Sequence, residues 1–397
     1  MELGVARSYT EQLDGNMLPN YPPFSLLLFQ GTGYLYKWTV SPDYDKNLPA
    51  YRTFIKLPAI IADLATAALF FFVLWRWKGI KAGYLGAALY TFHPAVFYDS
   101  AIWGQTDGIF TCFLCFALAF FANRKYALSG AFVVLAALTK AQTVMLLPLF
   151  AFLFFFHAGW KGLLKGAGSG FVVLCLALLP FALGGALDDV VKVYVGSVGF
   201  YSIVTSAAYN FWWSLLGDAG HSTSSETVLF GIASYKRIGF GLFGLSYLFL
   251  LPLVWRRLIT LKPDISRVPY LFAAATFACH AFFLFNTEMH ERYLFPFVAL
   301  GLPAAFISRK SAWLYGVVSL LFLMNLLGWL PWTIVDKELY KTFVTLDVFI
   351  ASFQVFAFFS YASMLKELLW VPLTRKEWTA LTQPLRRMLT RTSSRAV

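Results

Sequence analysis

The chain of 397 residues is 59% hydrophobic, 19% aromatic and only 13% charged, with a mean hydropathy of +0.65. Soluble globular domains carry about 25% charged residues, so a soluble enzyme or binding module is excluded and a polytopic membrane protein is expected. The net charge of +12 does not point to nucleic acid, because the basic residues sit in short clusters between apolar runs, where they set membrane orientation.

Taken in chain order, the first long apolar stretch is 22–38. Its Pro22–Pro23 head, Gly31, Gly33 and Lys37 favour an interfacial or re-entrant helix on the outer face over a further crossing. Apolar runs long enough to span then recur at 54–75, 82–100, 108–122, 126–139, 142–158, 166–184, 238–255, 269–286, 293–308, 312–332 and 343–365, about eleven crossings in all. The clusters Arg76, Lys78 and Lys81; Arg124 and Lys125; Lys161 and Lys165; Arg256 and Arg257; Arg309 and Lys310; and Arg375 onward fall at alternate ends of these runs, which assigns them to the cytoplasmic side. The expected fold class is all-α, a polytopic transmembrane helix bundle. One integral-membrane domain covers 1–373, with a first outer loop at 1–50 and a large outer loop at 185–237. A basic cytoplasmic tail, 374–397, can lie on anionic membrane lipids. Cys112 and Cys115 lie inside an apolar run and Cys175 and Cys279 are far off, a pattern of core packing rather than of a metal site or disulfide.

This topology gathers polar residues on the outer face: Tyr21-Pro22-Pro23, Trp103-Gly-Gln105-Thr-Asp107, Lys140-Ala-Gln142, the 185–237 loop with Asn210 and Trp212, and Asn286-Thr-Glu-Met-His290-Glu291-Arg292-Tyr293. A charge at mid-bilayer costs about 2.5–3.5 kcal/mol on insertion scales, so a charged knot between two apolar runs needs a use. His290, Arg292 and Lys140 suit a phosphate, Arg through its planar fork and Lys as a point charge. Trp103 and Trp212 offer flat surfaces to sugar rings, and Asp107, Glu288 and Glu291 are carboxylates able to take a proton from an attacking hydroxyl. Each has an ordinary alternative: Asp107 opens a run and can cap a helix, and the tryptophans can be interfacial anchors. Lys56 and Asp63, seven apart on one face, read as helix packing or a buried pair. Asp43 and Asp45 have the spacing that can hold a divalent cation, Mg or Mn. Between Pro42 and Lys46 they also read as a solvated turn, so metal ligands stay unassigned.

The stretches YPP at 21–23, KLPAIIADL at 56–64, HPAVFYDSAIWGQTDG at 93–108, LTKAQTVMLLP at 138–148, YNFWWSLLG at 209–217 and MHERYLFP at 289–296 together resemble bacterial membrane proteins related to the second mannosyltransferase of GPI-anchor assembly, within the GT-C superfamily of integral-membrane glycosyltransferases. The resemblance implies a GT-C bundle that moves a mannose-like hexose or a pentose from a polyprenyl-phosphate donor to a lipid or glycan acceptor, with inversion, on the outer face of a bacterial cytoplasmic membrane. On its motifs it implies Asp107 and Glu291 as catalytic residues and His290, Arg292 and Lys140 at the donor phosphate. It also implies Tyr21, Gln105 and Gln142, beside Trp103, Asn210 and Trp212, at the sugar or acceptor. GT-C enzymes usually carry their catalytic Asp just after a first transmembrane helix. Asp14 is too close to Tyr21 for that motif, so the resemblance implies a base, and a helix, upstream of Met1. A lipid-linked saccharide flippase and a non-catalytic membrane subunit are the other readings.

Overall fold

The computed structural model describes residues 4–11, 18–329 and 337–372; Asp14 and the basic tail lie outside the described residues. Its main helices are α1 (Pro23–Thr39), α2 (Pro49–Lys78), α3 (Ile80–Thr91), α4 (Asp107–Ala122), α5 (Tyr126–Thr139), α6 (Leu147–His157), α7 (Gly159–Leu183), α8 (Leu187–Val195), α9 (Tyr235–Thr260), α10 (Val268–Phe285), α11 (Phe295–Ala305), α12 (Arg309–Gly328), α13 (Lys337–Thr345) and α14 (Asp347–Leu369). Six segments, corresponding to α2, α7, α9, α10, α12 and α14, are long and apolar enough to cross a membrane, and α4, α5, α6 and α11 are shorter apolar helices. The chain is an integral membrane protein, and its architecture is the expected all-α polytopic bundle.

Helix α10 is the axis of the bundle. Of its residues only Tyr270 is not buried, and α4, α9, α11 and α14 pack around it. The alanines Ala273, Ala274, Ala275, Ala278 and Ala281 let those neighbours approach closely. Glycine does the same between α5 and α7: a Cβ on Gly130 would collide with the Gly166 carbonyl.

The expected span 82–100 is broken. Helix α3 stops at Thr91, a short turn of helix covers Pro94–Val96, and Phe97–Trp103 winds as a π-helix. Pro94 explains the break, since it has no N–H to give and forces the residue before it out of the helical region. His93 is indeed extended (φ −67°, ψ 122°), and its Nδ1 accepts from the Ala95 N–H at 3.2 Å. The π-helix then ends on Gly104, left-handed at φ +86°.

The 185–237 region is not bare loop. It holds α8, a helix over Phe211–Leu216, and short strand pieces; Thr205–Ser206 pairs in parallel with Met289–His290, in the register Ser206↔His290. The polar segments converge at one end of the bundle, where α4 and α9 begin and α5 and α10 finish. The clusters at Arg76, Lys78, Arg124, Lys125, Arg256 and Arg257 lie at the other ends of these helices or of α2.

Candidate active site

Four segments build the site: the π-helix with the start of α4, the α5–α6 junction, residues 18–22, and the stretch from Asn286 to Tyr293 after α10. Lys140 ends α5 in extended backbone (φ −152°, ψ 132°), which turns its side chain inward instead of along the helix. It is 5% exposed, and its Nζ meets Asp107 Oδ2 at 2.6 Å. Arg292 completes the group, with Nη1 on Glu291 Oε1 at 2.9 Å and Nε 3.9 Å from Asp107 Oδ2. Its guanidinium lies 5.3 Å over the Trp103 ring, and Lys140 Nζ stands 5.8 Å over Tyr293. His290 Nδ1 is 3.7 Å from Glu291 Oε2 and 3.4 Å from Ser206 Oγ, and its ring meets that of Tyr201 edge-on at 4.4 Å.

Charge sets the character of this cluster. Burial pushes the Lys140 ammonium below its ordinary value, and Asp107 only partly restores it. Burial would also lower the Arg292 guanidinium, but Glu291 and Asp107 outweigh it and leave it above its usual range. Glu291 runs the same way: burial would raise its carboxyl, yet the His290 contact and the Arg292 charge leave it below the usual carboxylate range. Several buried polar atoms here have no hydrogen-bond partner among the described residues, including both oxygens of Asp99, Asp107 Oδ1, Arg292 Nε and His290 Nε2. Buried polar groups are ordinarily satisfied, so a ligand or water is the expected complement.

A cavity of about 960 Å³ opens against this cluster, and Lys140, Arg292, Tyr293, Gln142, Tyr21 and Asn286 line it. Of the sequence candidates, Tyr21, Lys140, Gln142, Glu288 and Arg292 therefore line one cavity. Burial pushes the Tyr21 hydroxyl up by more than the Arg292 charge offsets. Trp103 does not line the cavity but backs Arg292, and Gln105 is tied by its backbone N–H to the Asp99 carbonyl at 2.9 Å.

Other candidates sit differently from expectation. Asp107 and Glu291, expected as proton acceptors, do not line the cavity; they lie behind Lys140 and Arg292 as their counterions. Asp107 is not a cap either, because Thr106 holds the N-cap position and no side-chain cap bond forms there. Asn210 is fully buried: its Oδ1 caps Phe211–Leu216 by accepting from the Trp212 and Trp213 N–H groups, and its Nδ2 reaches the Phe283 carbonyl at 3.2 Å. Trp212 is likewise interior, its Nε1 donating to the Phe285 carbonyl at 2.7 Å. Both hold the outer region onto α10, and neither is among the residues that line the cavity.

Two residues of the site, Tyr293 and Asp99, were not singled out from sequence. Tyr293 was read only as the end of the charged motif. Asp99, a charge inside an expected span, was the signal to question that span; it lies within electrostatic reach of Asp107, Lys140 and Arg292. Asp63 anchors the other side, accepting from Tyr90 OH at 2.9 Å while crowding Gly108, where a Cβ would come within 2.7 Å of its Oδ1. Lys56, its partner on the same face of α2, instead caps the π-helix by donating to the Ala101 and Ile102 carbonyls at 3.1 and 2.6 Å. Asp43 and Asp45 form an exposed turn, and among the described residues no group of three or more His, Cys, Asp or Glu side chains is placed to hold a metal ion.

No protein-family model matches the chain, and no curated protein does. Among solved structures it is similar to ArnT from Cupriavidus metallidurans in the apo state, at 14% sequence identity and a TM-score of 0.47, over 88% of this chain and 67% of that one.

Proposed function

We propose that this chain is a GT-C-type membrane glycosyltransferase that moves a sugar from a polyprenyl-phosphate donor to a lipid or glycan acceptor. The observation that carries the reading is the cationic wall formed by buried Lys140 and half-buried Arg292, facing a cavity large enough for a sugar phosphate. Two cations, one buried and one half-buried, pinned by carboxylates behind them form a preorganised electrostatic site, aimed at charge that appears on a leaving group. In the reaction the acceptor hydroxyl oxygen bonds to the anomeric carbon and the carbon–oxygen bond to phosphate breaks. The bonding pair goes to the polyprenyl phosphate, and the hydroxyl proton leaves to solvent in the cavity. A single displacement of this kind inverts the anomeric centre.

Within this reading Lys140 and Arg292 neutralise the leaving phosphate, and Asp107 and Glu291 orient them rather than accept the proton. His290 pairs with Glu291, the carboxylate that holds Arg292, and Tyr21 and Gln142 contribute polar contacts for the sugar or acceptor. A mannose-like hexose or a pentose fits the family resemblance, and Mg or Mn remains a candidate cofactor. The separation of polar and basic ends along the bundle supports a cavity on the outer face of the membrane.

The test is incubation of purified protein in vesicles with a radiolabelled polyprenyl-phosphate mannose and a lipid acceptor. Release of polyprenyl phosphate with labelled product is the expected result. Movement of intact donor across the vesicle without cleavage would identify a flippase instead. Arg292→Lys should weaken donor binding by about tenfold or more, since one ammonium cannot replace a bidentate fork; unchanged affinity would remove Arg292 from the phosphate site.

A further inference from the structure

Glu288 is the first of the two carboxylates of the charged motif, and the structure gives it work other than proton transfer. It stands in the left-handed region at φ +66°, a conformation that a non-glycine residue keeps only when its surroundings enforce it. Its Oε2 accepts from the Gly199 N–H at 2.7 Å, and its Oε1 takes Ser225 Oγ and Lys236 Nζ, both at 3.1 Å. Its own N–H donates to the Val204 carbonyl at 3.2 Å. One side chain thus gathers three separate stretches of the outer region at the rim of the cavity.

The stretch it holds matters because of what that stretch covers. Gly196, Ser197, Val198, Phe200 and Tyr201 line the cavity, and Tyr201 lies edge-on to His290. Val198 and Phe200 are more than half exposed, so no packed layer holds this segment from outside. Downstream, the left-handed turn at Glu288 delivers Met289–His290 into register with Thr205–Ser206 and sends Arg292 to its place beside Asp107.

We infer that Glu288 is a positioning residue: it latches the strap 196–203 over the cavity and so fixes Tyr201 on His290 at the phosphate end of the site. The inference rests on the proposed transferase reading for its catalytic consequence only. The latch itself is a matter of geometry and is tested separately.

The experiment uses the full chain in nanodiscs. Cys175→Ser removes the exposed cysteine, the other three being buried, and nitroxides are placed at Val198→Cys on the strap and Trp160→Cys at the far end of α7. A 25-residue helix separates the two ends of the bundle, about 37 Å at 1.5 Å per residue, within range of pulsed EPR. A single narrow distance distribution is expected with Glu288 present. Glu288→Ala should broaden it and add a second component, Glu288→Gly should do the same although it relieves the backbone strain, and Glu288→Gln should broaden it less than either, because its amide oxygen still accepts from Gly199 while its NH2 cannot accept from Lys236. Should Glu288→Ala fail to fold, Lys236→Met loosens the same latch from the other side and is expected to broaden the distribution. Narrow distributions in the alanine and glycine variants, or in Lys236→Met where it stands in for them, would overturn the latch. In turnover assays the alanine variant should lose about tenfold in kcat with donor KM changed less than about threefold, the split expected for a lost positioning contact. If the parent protein transfers no sugar, the transferase reading fails while the EPR result still decides the strap.

Discussion

Asp107 shows how far a residue's role depends on what lies behind it. From the sequence it was a helix cap or a base; in the structure it is the buried counterion of Lys140, with side-chain exposures of 1% and 7% for the pair. Breaking such a pair from one side leaves an uncompensated buried charge, at a cost of about 3–5 kcal/mol. Asp107→Asn should therefore lower thermal stability markedly in detergent, and adding Lys140→Met should recover part of the loss although donor binding stays absent. A silent Asp107→Asn would restore the cap reading. Glu291 makes a second prediction, in acid. Its folded carboxyl titrates below its unfolded value of 4.5, so the pair with Arg292 stabilises fully above that pH and loses its contribution as pH falls through the lower folded value. The stability gap between the parent and Glu291→Gln should close below about pH 4.5, read from unfolding midpoints across pH 3–6; a constant gap would mean the carboxyl is not held down. Lys140, Arg292, Tyr21 and Gln142 line the cavity, and they stood out in the sequence because charged or polar groups beside apolar runs have few other uses. Asn210 and Trp212 were not, because a cap and a buried indole donor look in sequence like any polar–aromatic pair.

At the scale of elements, apolar runs and basic borders located most helices, since hydrocarbon thickness and loop charge act on the chain directly. The break at 92–94 and the π-helix were missed for a different reason: hydropathy does not register backbone geometry, and only Pro94 signalled it. That irregular turn is where Asp99 and Trp103 sit, in keeping with the frequent siting of π-segments at functional places. The α5–α7 contact yields the prediction for this scale. Gly130→Val should force the helices apart, destabilising by about 1–3 kcal/mol as overpacking does, and should also disturb Lys140 at the end of α5. Differential scanning of the variant, with donor binding measured alongside, checks both; a fully stable variant would show that the contact can relax.

Among the described residues, the polar segments gather at one end of the bundle and the basic clusters Arg76 and Lys78, Arg124 and Lys125, and Arg256 and Arg257 lie at the other, which makes orientation measurable. In cells, a cysteine at Phe230, on the 185–237 region, should react with an impermeant maleimide added outside, and one at Tyr84, beside Lys81, should not. The reverse pattern would turn the bundle over and move the cavity to the cytoplasm.

Helix α10 carries a last consequence. It ends sheathed by protein on nearly every side, yet it is still apolar enough to qualify as a span, with a mean hydropathy of 1.7. Its composition answers two environments in succession: lipid while the nascent chain enters the bilayer, and neighbouring helices afterwards. Alanine serves both, being greasy enough to partition and slim enough to be surrounded. A substitution there can thus leave the finished bundle intact and still act during biogenesis, by slowing the entry of a segment around which the other helices must assemble.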